Sequence, residues 1–197
     1  MIAYISGKIT HKEPTLVILE TNGVGYEIHI SLYTSTGLPK LDEPFKLYTY
    51  QHIREDAQTL YGFANLDEKI LFLDLIGVSG IGPNTALTML STLTPGELRQ
   101  AILMENIRAI QGIKGIGSKT AQRVILELRD KMKKAGILAQ ADTPTYRMSA
   151  NPVRDEALAA LVTLGIPKPV AEKSLDAILK REGEELNVEQ LIRLALK

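Results

Sequence analysis

Short apolar runs separated by turn residues occupy the first third of the chain. These runs lie at 15–19, 26–30, 45–50 and 59–63, after an opening run from Ile2. Their length and their content of Val, Ile, Thr and Tyr are typical of strands. Turn residues separate them at Asn22-Gly23, Gly37-Leu38-Pro39 and Asp42-Glu43-Pro44. The pattern predicts five strands within residues 1–64. Closure into an OB-like barrel would remove the exposed edges of such short strands.

After Asn65 the apolar spacing changes to that of helices. Leu66, Ile70, Leu71 and Leu73 set an apolar stripe that is broken at Gly77, and helical periodicity then continues to about Ala135. Residues 65–140 are therefore predicted to form a helical domain.

Between Gly136 and Pro152 the chain carries Gly, Pro, Ser, Thr and Asn with little periodicity, which predicts a flexible linker over 141–151. Residues 152–197 are predicted to form a bundle of three helices, over about 153–164, 170–180 and 188–195. Gly165 is the expected end of the first helix, and Asn187 with Gln190 forms an N-terminal capping pair for the last. The whole chain is thus predicted to be a multidomain α+β protein.

The strongest signal is an internal repeat in the helical domain. Residues 77–86, GVSGIGPNTA, align without gaps to residues 112–121, GIKGIGSKTA, at an offset of 35. Each copy follows one helical stripe and precedes another, so each is predicted to be a helix, a glycine hairpin and a second helix.

Glycines in such hairpins permit close approach of the backbone to an anion. The helix that follows adds unpaired N–H groups and the positive end of its dipole. These groups act on phosphate and sugar, so binding would be nearly independent of base sequence. The predicted backbone-binding residues are Gly80, Gly82, Asn84, Thr85, Gly115, Gly117, Ser118, Lys119, Thr120 and Arg123. Asn84 stands where the second copy has Lys119, so the first copy offers a hydrogen bond but no cation there.

Two other interpretations of the glycines compete with this one. Glycines in one isolated hairpin are most simply tight turns between packed helices, which would leave the chain a scaffold that binds only protein. The segment 112–120 also resembles the phosphate loop of nucleotide triphosphatases, but Ser118 separates the last glycine from Lys119, and the preceding stretch is helical. The repeat at fixed offset favours phosphate-backbone binding over both.

Charge supports this interpretation only when it is counted by segment. The whole chain has 23 basic and 23 acidic residues, whereas residues 65–140 have 10 basic and 7 acidic. Phosphate binding needs cations placed locally rather than a basic average.

No residue set suggests bond chemistry. The chain has no cysteine, and its three histidines lie at spacings that make no ligand pair, so no metal or cofactor is expected. A nuclease would need a carboxylate cluster for Mg²⁺, and none is visible. No signal peptide or membrane span is recognised, so we expect a soluble, cytoplasmic protein.

The strand-rich segment ending in REDAQTLYGF (residues 54–63), the double hairpin, the linker and the C-terminal bundle together resemble the RuvA family. These are the subunits of the bacterial branch-migration complex that bind Holliday junctions. The resemblance covers essentially the whole chain. It implies a non-catalytic, DNA-binding protein of recombination and repair.

The resemblance also implies an arrangement of parts. The barrel is expected to form a homotetramer, or an octamer on DNA, with Glu55 and Asp56 as acidic pins at the crossover. The two hairpins are expected to grip the DNA arms in their minor grooves. The C-terminal bundle is expected to recruit the hexameric ATPase RuvB, and the resolvase RuvC is expected as a further partner. An exposed apolar patch is the expected contact surface for RuvB. Leu164 and Ile166 are the candidates for it, with a place in the core of the bundle as the alternative.

Overall fold

The computed structural model describes residues 1–141, 151–183 and 186–196. The chain divides into two compact units, Met1–Ala141 and Asp142–Lys197. The first unit holds five strands, β1 Tyr4–Glu13, β2 Leu16–Thr21, β3 Val24–Ile30, β4 Pro44–Ile53 and β5 Gln58–Phe63.

The five strands close into a barrel in the order β1-β2-β3-β5-β4. All neighbours are antiparallel except β3 and β5, which pair in parallel at His29–Tyr61 and Ile30–Gly62. Asn22 and Gly23 both have positive φ, as a two-residue hairpin turn requires. Alternate strand residues fill the interior, namely Ile5, Ile9, Val17, Leu19, Ile28, Ile30 and Leu47. The predicted OB-like barrel is confirmed.

A short helix, α1 (Leu32–Thr36), lies between β3 and β4 and was not predicted. Five residues are too few to show a helical repeat of apolar positions. The N-cap is Ser31, whose hydroxyl accepts a hydrogen bond from the Thr34 N–H. This capping residue was the one local signal for the helix.

Five helices complete the first unit. They are α2 Leu66–Ile76, α3 Pro83–Thr92, α4 Pro95–Leu103, α5 Ile107–Gln111 and α6 Ser118–Ala141. Their core is continuous with one end of the barrel, because Tyr61 and Phe63 of β5 pack into the same cluster as Phe72 of α2. The barrel and the hairpins are therefore parts of one packed unit.

The apolar stripe predicted for α2 is only partly the packing face. Leu71 is fully buried, but Leu66, Ile70 and Leu73 are 52%, 53% and 38% exposed. These three follow one another at helical spacing, so α2 carries a second apolar face that the described part of the first unit does not cover.

The second unit contains α7 Pro152–Thr163, α8 Lys168–Glu182 and α9 Val188–Ala195. Gly165 has a φ of 91°, and Asn187 and Gln190 form the predicted reciprocal cap. Leu161, Leu175 and Leu191 are fully buried at the centre of the bundle.

The predicted linker, 141–151, lies outside the described residues except for its two ends. Helix α6 runs through Ala141, and Asn151 caps α7. The helix thus extends past the predicted end of periodicity near Ala135. One interior glycine costs a helix only about 1 kcal/mol, so Gly136 does not terminate it.

Candidate nucleic-acid interface

The two glycine hairpins have the same backbone conformation. In the first, the Ile81 N–H donates to the Val78 carbonyl at 3.0 Å, and in the second Ile116 donates to Ile113 at 3.1 Å. These four apolar side chains are at most 6% exposed. The repeat in sequence is therefore a repeat in structure, in which buried aliphatic residues fix a loop whose remaining atoms face outward.

The glycines of each hairpin fall into two kinds. Gly80 and Gly115 have φ values of 94° and 88°, a conformation that residues with a Cβ rarely adopt. Gly82 and Gly117 do not have positive φ, and a Cβ on either would meet no atom of the described chain within 4 Å. The backbone conformation therefore requires glycine at Gly80 and Gly115. It does not require glycine at Gly82 and Gly117, whose outer side is open to the backbone of a ligand.

Each hairpin leads directly into a helix with free amides at its N-terminus. The first intrahelical bonds are donated by Ala86 to Gly82, at 3.0 Å, and by Ala121 to Gly117, at 2.9 Å. Residues before these donors lack a partner in the helix ladder. Pro83 has no N–H, so α3 offers the amides of Asn84 and Thr85. Helix α6 offers three, those of Ser118, Lys119 and Thr120.

The side chains at the equivalent second positions of these helices differ. Lys119 is exposed, and its ammonium has no partner among the described residues. Asn84 is also exposed, but its Oδ1 accepts a hydrogen bond of 2.8 Å from the Tyr61 hydroxyl of β5. The second hairpin therefore presents a free cation, whereas the first presents an amide that is tied to the barrel.

Arg123 has a different setting from the one expected. Its Nη1 donates to the Ser79 carbonyl of the first hairpin at 3.0 Å, and its Nε lies 4.0 Å from Glu127. The side chain is half exposed. Arg123 thus joins the second helix of one hairpin to the loop of the other, and its charge lies between them.

The acidic turn lies on the same side of the unit as the first hairpin. Glu55 and Asp56 are exposed at the tip between β4 and β5, and the turn is closed by a 2.8 Å bond from the Arg54 N–H to the Ala57 carbonyl. A groove separates the turn from the hairpin. It is lined by His52, Arg54, Asp56, Ala57, Thr59 and Tyr61 of the barrel and by Gly82, Pro83, Asn84 and Thr85.

A buried carboxylate joins α2 to the segment that follows β3. Glu68 of α2 is fully buried, accepts a 2.6 Å hydrogen bond from the Thr34 hydroxyl and also accepts one from Ser31. Burial raises the pKa of Glu68, against the lowering effect of these hydroxyl donors. Sequence reasoning missed this residue, because a glutamate in a first helical turn is ordinarily an exposed capping residue.

The two C-terminal residues predicted to contact a partner have different settings. Leu164 is 62% exposed, whereas Ile166 is half-buried and packs against the core of the bundle. Val162 and Val170 are also exposed apolar residues on either side of the same turn between α7 and α8.

Within the described ranges, no group of three His, Asp or Glu side chains is placed to hold a metal ion. Among the helices that the structure describes, none combines the length and the apolar character needed to cross a bilayer.

The fold and the interface define a class, that of proteins carrying tandem helix-hairpin-helix units beside a small barrel. Three family models match the chain, the RuvA N terminal domain over residues 1–62, the SAM-like helix-hairpin-helix tandem over 72–130 and the RuvA C-terminal domain over 152–197.

Similar curated proteins span the whole chain. Relatives from Cytophaga hutchinsonii and Amoebophilus asiaticus are 54% and 49% identical over 100% of this chain and 99% and 100% of their own. One from Chlorobaculum parvum is 41% identical over 100% of this chain and 97% of its own. Each is named Holliday junction branch migration complex subunit RuvA. The chain belongs to the RuvA family.

Proposed function

We propose that this protein binds four-way DNA junctions by their shape and couples them to a partner ATPase, without itself making or breaking bonds. The observation that carries the proposal is the pair of matching hairpins whose outer glycines, Gly82 and Gly117, are not required by the fold. Two phosphate-binding loops on one packed unit suit a ligand that presents DNA backbone at a fixed spacing.

Each hairpin binds phosphate through backbone N–H groups and the helix dipole, and Lys119 adds a cation at the second. Such contacts do not distinguish base pairs, so discrimination between a junction and a linear duplex depends on the positions of the DNA arms. Repeated weak contacts within one assembly strengthen one another through effective concentration.

The acidic turn gives the arrangement its preference for a junction. Carboxylates at Glu55 and Asp56 repel phosphates, so they disfavour a continuous duplex across the turn and favour strands that part around it. Two observations support this role: both carboxylates are exposed, and Asp56 lines the groove of the first hairpin.

Four copies around one junction would place four acidic turns at its centre. The uncovered apolar face of α2, formed by Leu66, Ile70 and Leu73, supports assembly into a homotetramer, since exposed apolar faces of this kind mark interfaces. An octamer on DNA and a cytoplasmic location stay expectations of the family.

The C-terminal unit is proposed to bind the ATPase RuvB. Its exposed apolar side chains Val162, Leu164 and Val170 flank one turn, as a docking patch for another protein would require. Ile166 supports that turn from the core side. Binding of the resolvase RuvC remains an expectation from the family resemblance.

The test compares a synthetic four-way junction with linear duplex of the same sequence, in gel-shift titrations without nucleotide or Mg²⁺. The expected result is a preference for the junction that weakens in the variant Lys119→Ala with Arg123→Ala. Equal affinity for the two DNAs would contradict junction recognition, and absence of binding to either would favour a scaffold that binds only protein.

A further inference from the structure

Among the described residues, Asn84 is the one residue of the first hairpin whose side chain is hydrogen-bonded to the barrel. Its Oδ1 accepts the 2.8 Å hydrogen bond from Tyr61, while its Nδ2 has no partner among the described residues. An amide carries its acceptor and its donors on opposite branches. Fixing the oxygen toward Tyr61 therefore directs the two N–H donors away from the barrel.

Tyr61 is well placed to act as a fixed donor. It is only 4% exposed, and its ring lies 5.5 Å from Phe72, 6.4 Å from Tyr50 and 5.8 Å from His29, centroid to centroid. Burial raises the pKa of the Tyr61 phenol, so it keeps its proton throughout the neutral range. The three neighbouring rings hold the Tyr61 ring, and with it the hydroxyl oxygen, in place.

From this geometry, and resting on the proposed function, we infer that Tyr61 is a positioning residue that turns the Asn84 amide donors toward a DNA phosphate. At the equivalent place the second hairpin has Lys119, whose charge attracts phosphate from any of several side-chain conformations. A neutral amide has no such long-range attraction and binds well only when it is already oriented. The hydrogen bond from Tyr61 supplies that orientation.

The groove supports the same assignment. Tyr61 and Asn84 line it together with Gly82 and Thr85, so the amide donors lie beside the glycine that leaves room for a backbone and beside the free N–H groups of α3. Asp56 lies on the opposite wall. A phosphate in this groove would meet the amide donors on the hairpin side, and both the guanidinium of Arg54 and the carboxylate of Asp56 on the turn side.

The test is a double-mutant cycle on the full chain with a synthetic four-way junction, using Tyr61→Phe, Asn84→Ala and the double variant. Tyr61→Phe removes one oxygen and keeps the ring. We expect it to weaken junction binding about three- to tenfold, the range typical of one hydrogen bond, with no change in the dependence of affinity on salt. In the Asn84→Ala background the same change should alter affinity less than about twofold.

Tyr50→Phe is the matched control. Tyr50 belongs to the same aromatic cluster and its hydroxyl makes no hydrogen bond within the described chain, so this variant should bind DNA as the native chain does. Asn84→Lys offers a second check, because a cation at this position should make affinity insensitive to Tyr61→Phe.

An equal loss in both backgrounds would assign Tyr61 a structural role and overturn the inference. An unchanged affinity for Tyr61→Phe alone would overturn it as well, because the hydroxyl would then contribute nothing to binding. Failure of the proposed function is distinguishable. If junction and duplex bind equally, the cycle measured on duplex still decides the role of Tyr61, because the phosphate contact is the same. If the native chain binds no DNA, both ideas fail.

Discussion

The two hairpins have the same backbone conformation but supply their hydrogen-bond donors in different ways. The second has three amides outside the helix ladder and Lys119, whose ammonium has no partner among the described residues, so we expect its binding to depend on charge. The first loses one amide to Pro83 and has Asn84 in place of the lysine, but that side chain is anchored to the barrel. Under the proposed function, phosphate binding rests on side-chain charge in the second hairpin and on the rigidity of the surroundings in the first.

The largest expected effect separates the two kinds of glycine. Gly117→Ala should weaken junction binding at least about tenfold, because its methyl group would occupy the space of the phosphate, while the free energy of unfolding changes by less than about 1 kcal/mol. Gly115→Ala is the matched control. At a φ of 88° it should destabilise the fold by about 1–2 kcal/mol. Urea titration and gel shift measure both quantities, and a Gly117→Ala variant that binds normally would refute close approach at the second hairpin.

The next largest effect on junction affinity distinguishes the charge of Lys119 from the neutral hydrogen bonding of Asn84. Lys119→Ala should lower junction affinity about tenfold and reduce the slope of log affinity against log salt by about 1 for each phosphate that the lysine neutralises. Asn84→Ala should lower affinity less and leave that slope unchanged. Anisotropy titrations at several salt concentrations provide the slopes. Equal slope changes in the two variants would remove the distinction between the hairpins.

A smaller effect concerns the anchoring of the first hairpin, since α2 leads directly from Glu68 into that loop. The pKa of Glu68 is raised in the folded state above its ordinary value of 4.5. The protonated carboxyl is therefore favoured by folding, so its contribution to stability is full below pH 4.5 and is lost as pH rises through the raised pKa.

Glu68→Gln should remove this part of the pH dependence, as measured by urea midpoints across that range. The variant Asp67→Asn, at a neighbouring exposed carboxylate, should retain it. If the two variants have the same pH dependence as the native chain, Glu68 is not the group responsible.

The smallest effect is expected at Arg123. Its hydrogen bond to the Ser79 carbonyl joins the two hairpins, but the side chain is half exposed, so Arg123→Met should cost less than about 1 kcal/mol in stability. Junction affinity should fall only about threefold, less than for Lys119→Ala. A decrease as large as that of Lys119→Ala would assign Arg123 a direct phosphate contact of equal weight.

Sequence patterns predicted the parts of the molecule that depend on local signals. The strands, the repeated hairpins and the reciprocal cap at Asn187 and Gln190 all carry such signals, and the structure contains each of them. The helix α1 is too short to carry an apolar repeat.

The sequence patterns did not predict contacts between segments that are distant along the chain. Nothing near Tyr61 in the sequence indicates that it meets Asn84, and nothing around Glu68 indicates burial beneath Ser31 and Thr34. The apolar residues Leu66, Ile70 and Leu73 have the spacing of a packing face, yet they stay exposed in the single chain. The spacing of apolar residues indicates that a helix has an apolar face, but it does not indicate what covers that face.

Hydrogen–deuterium exchange of the full chain with and without four-way junction DNA tests most directly whether both hairpins bind phosphate. Protection is predicted in peptides from both hairpins, residues 78–85 and 113–120, because under the proposed function both loops donate backbone N–H groups to phosphate. Similar protection at both would support two binding loops that work by different means. Protection confined to 113–120, or absent from both, would contradict it.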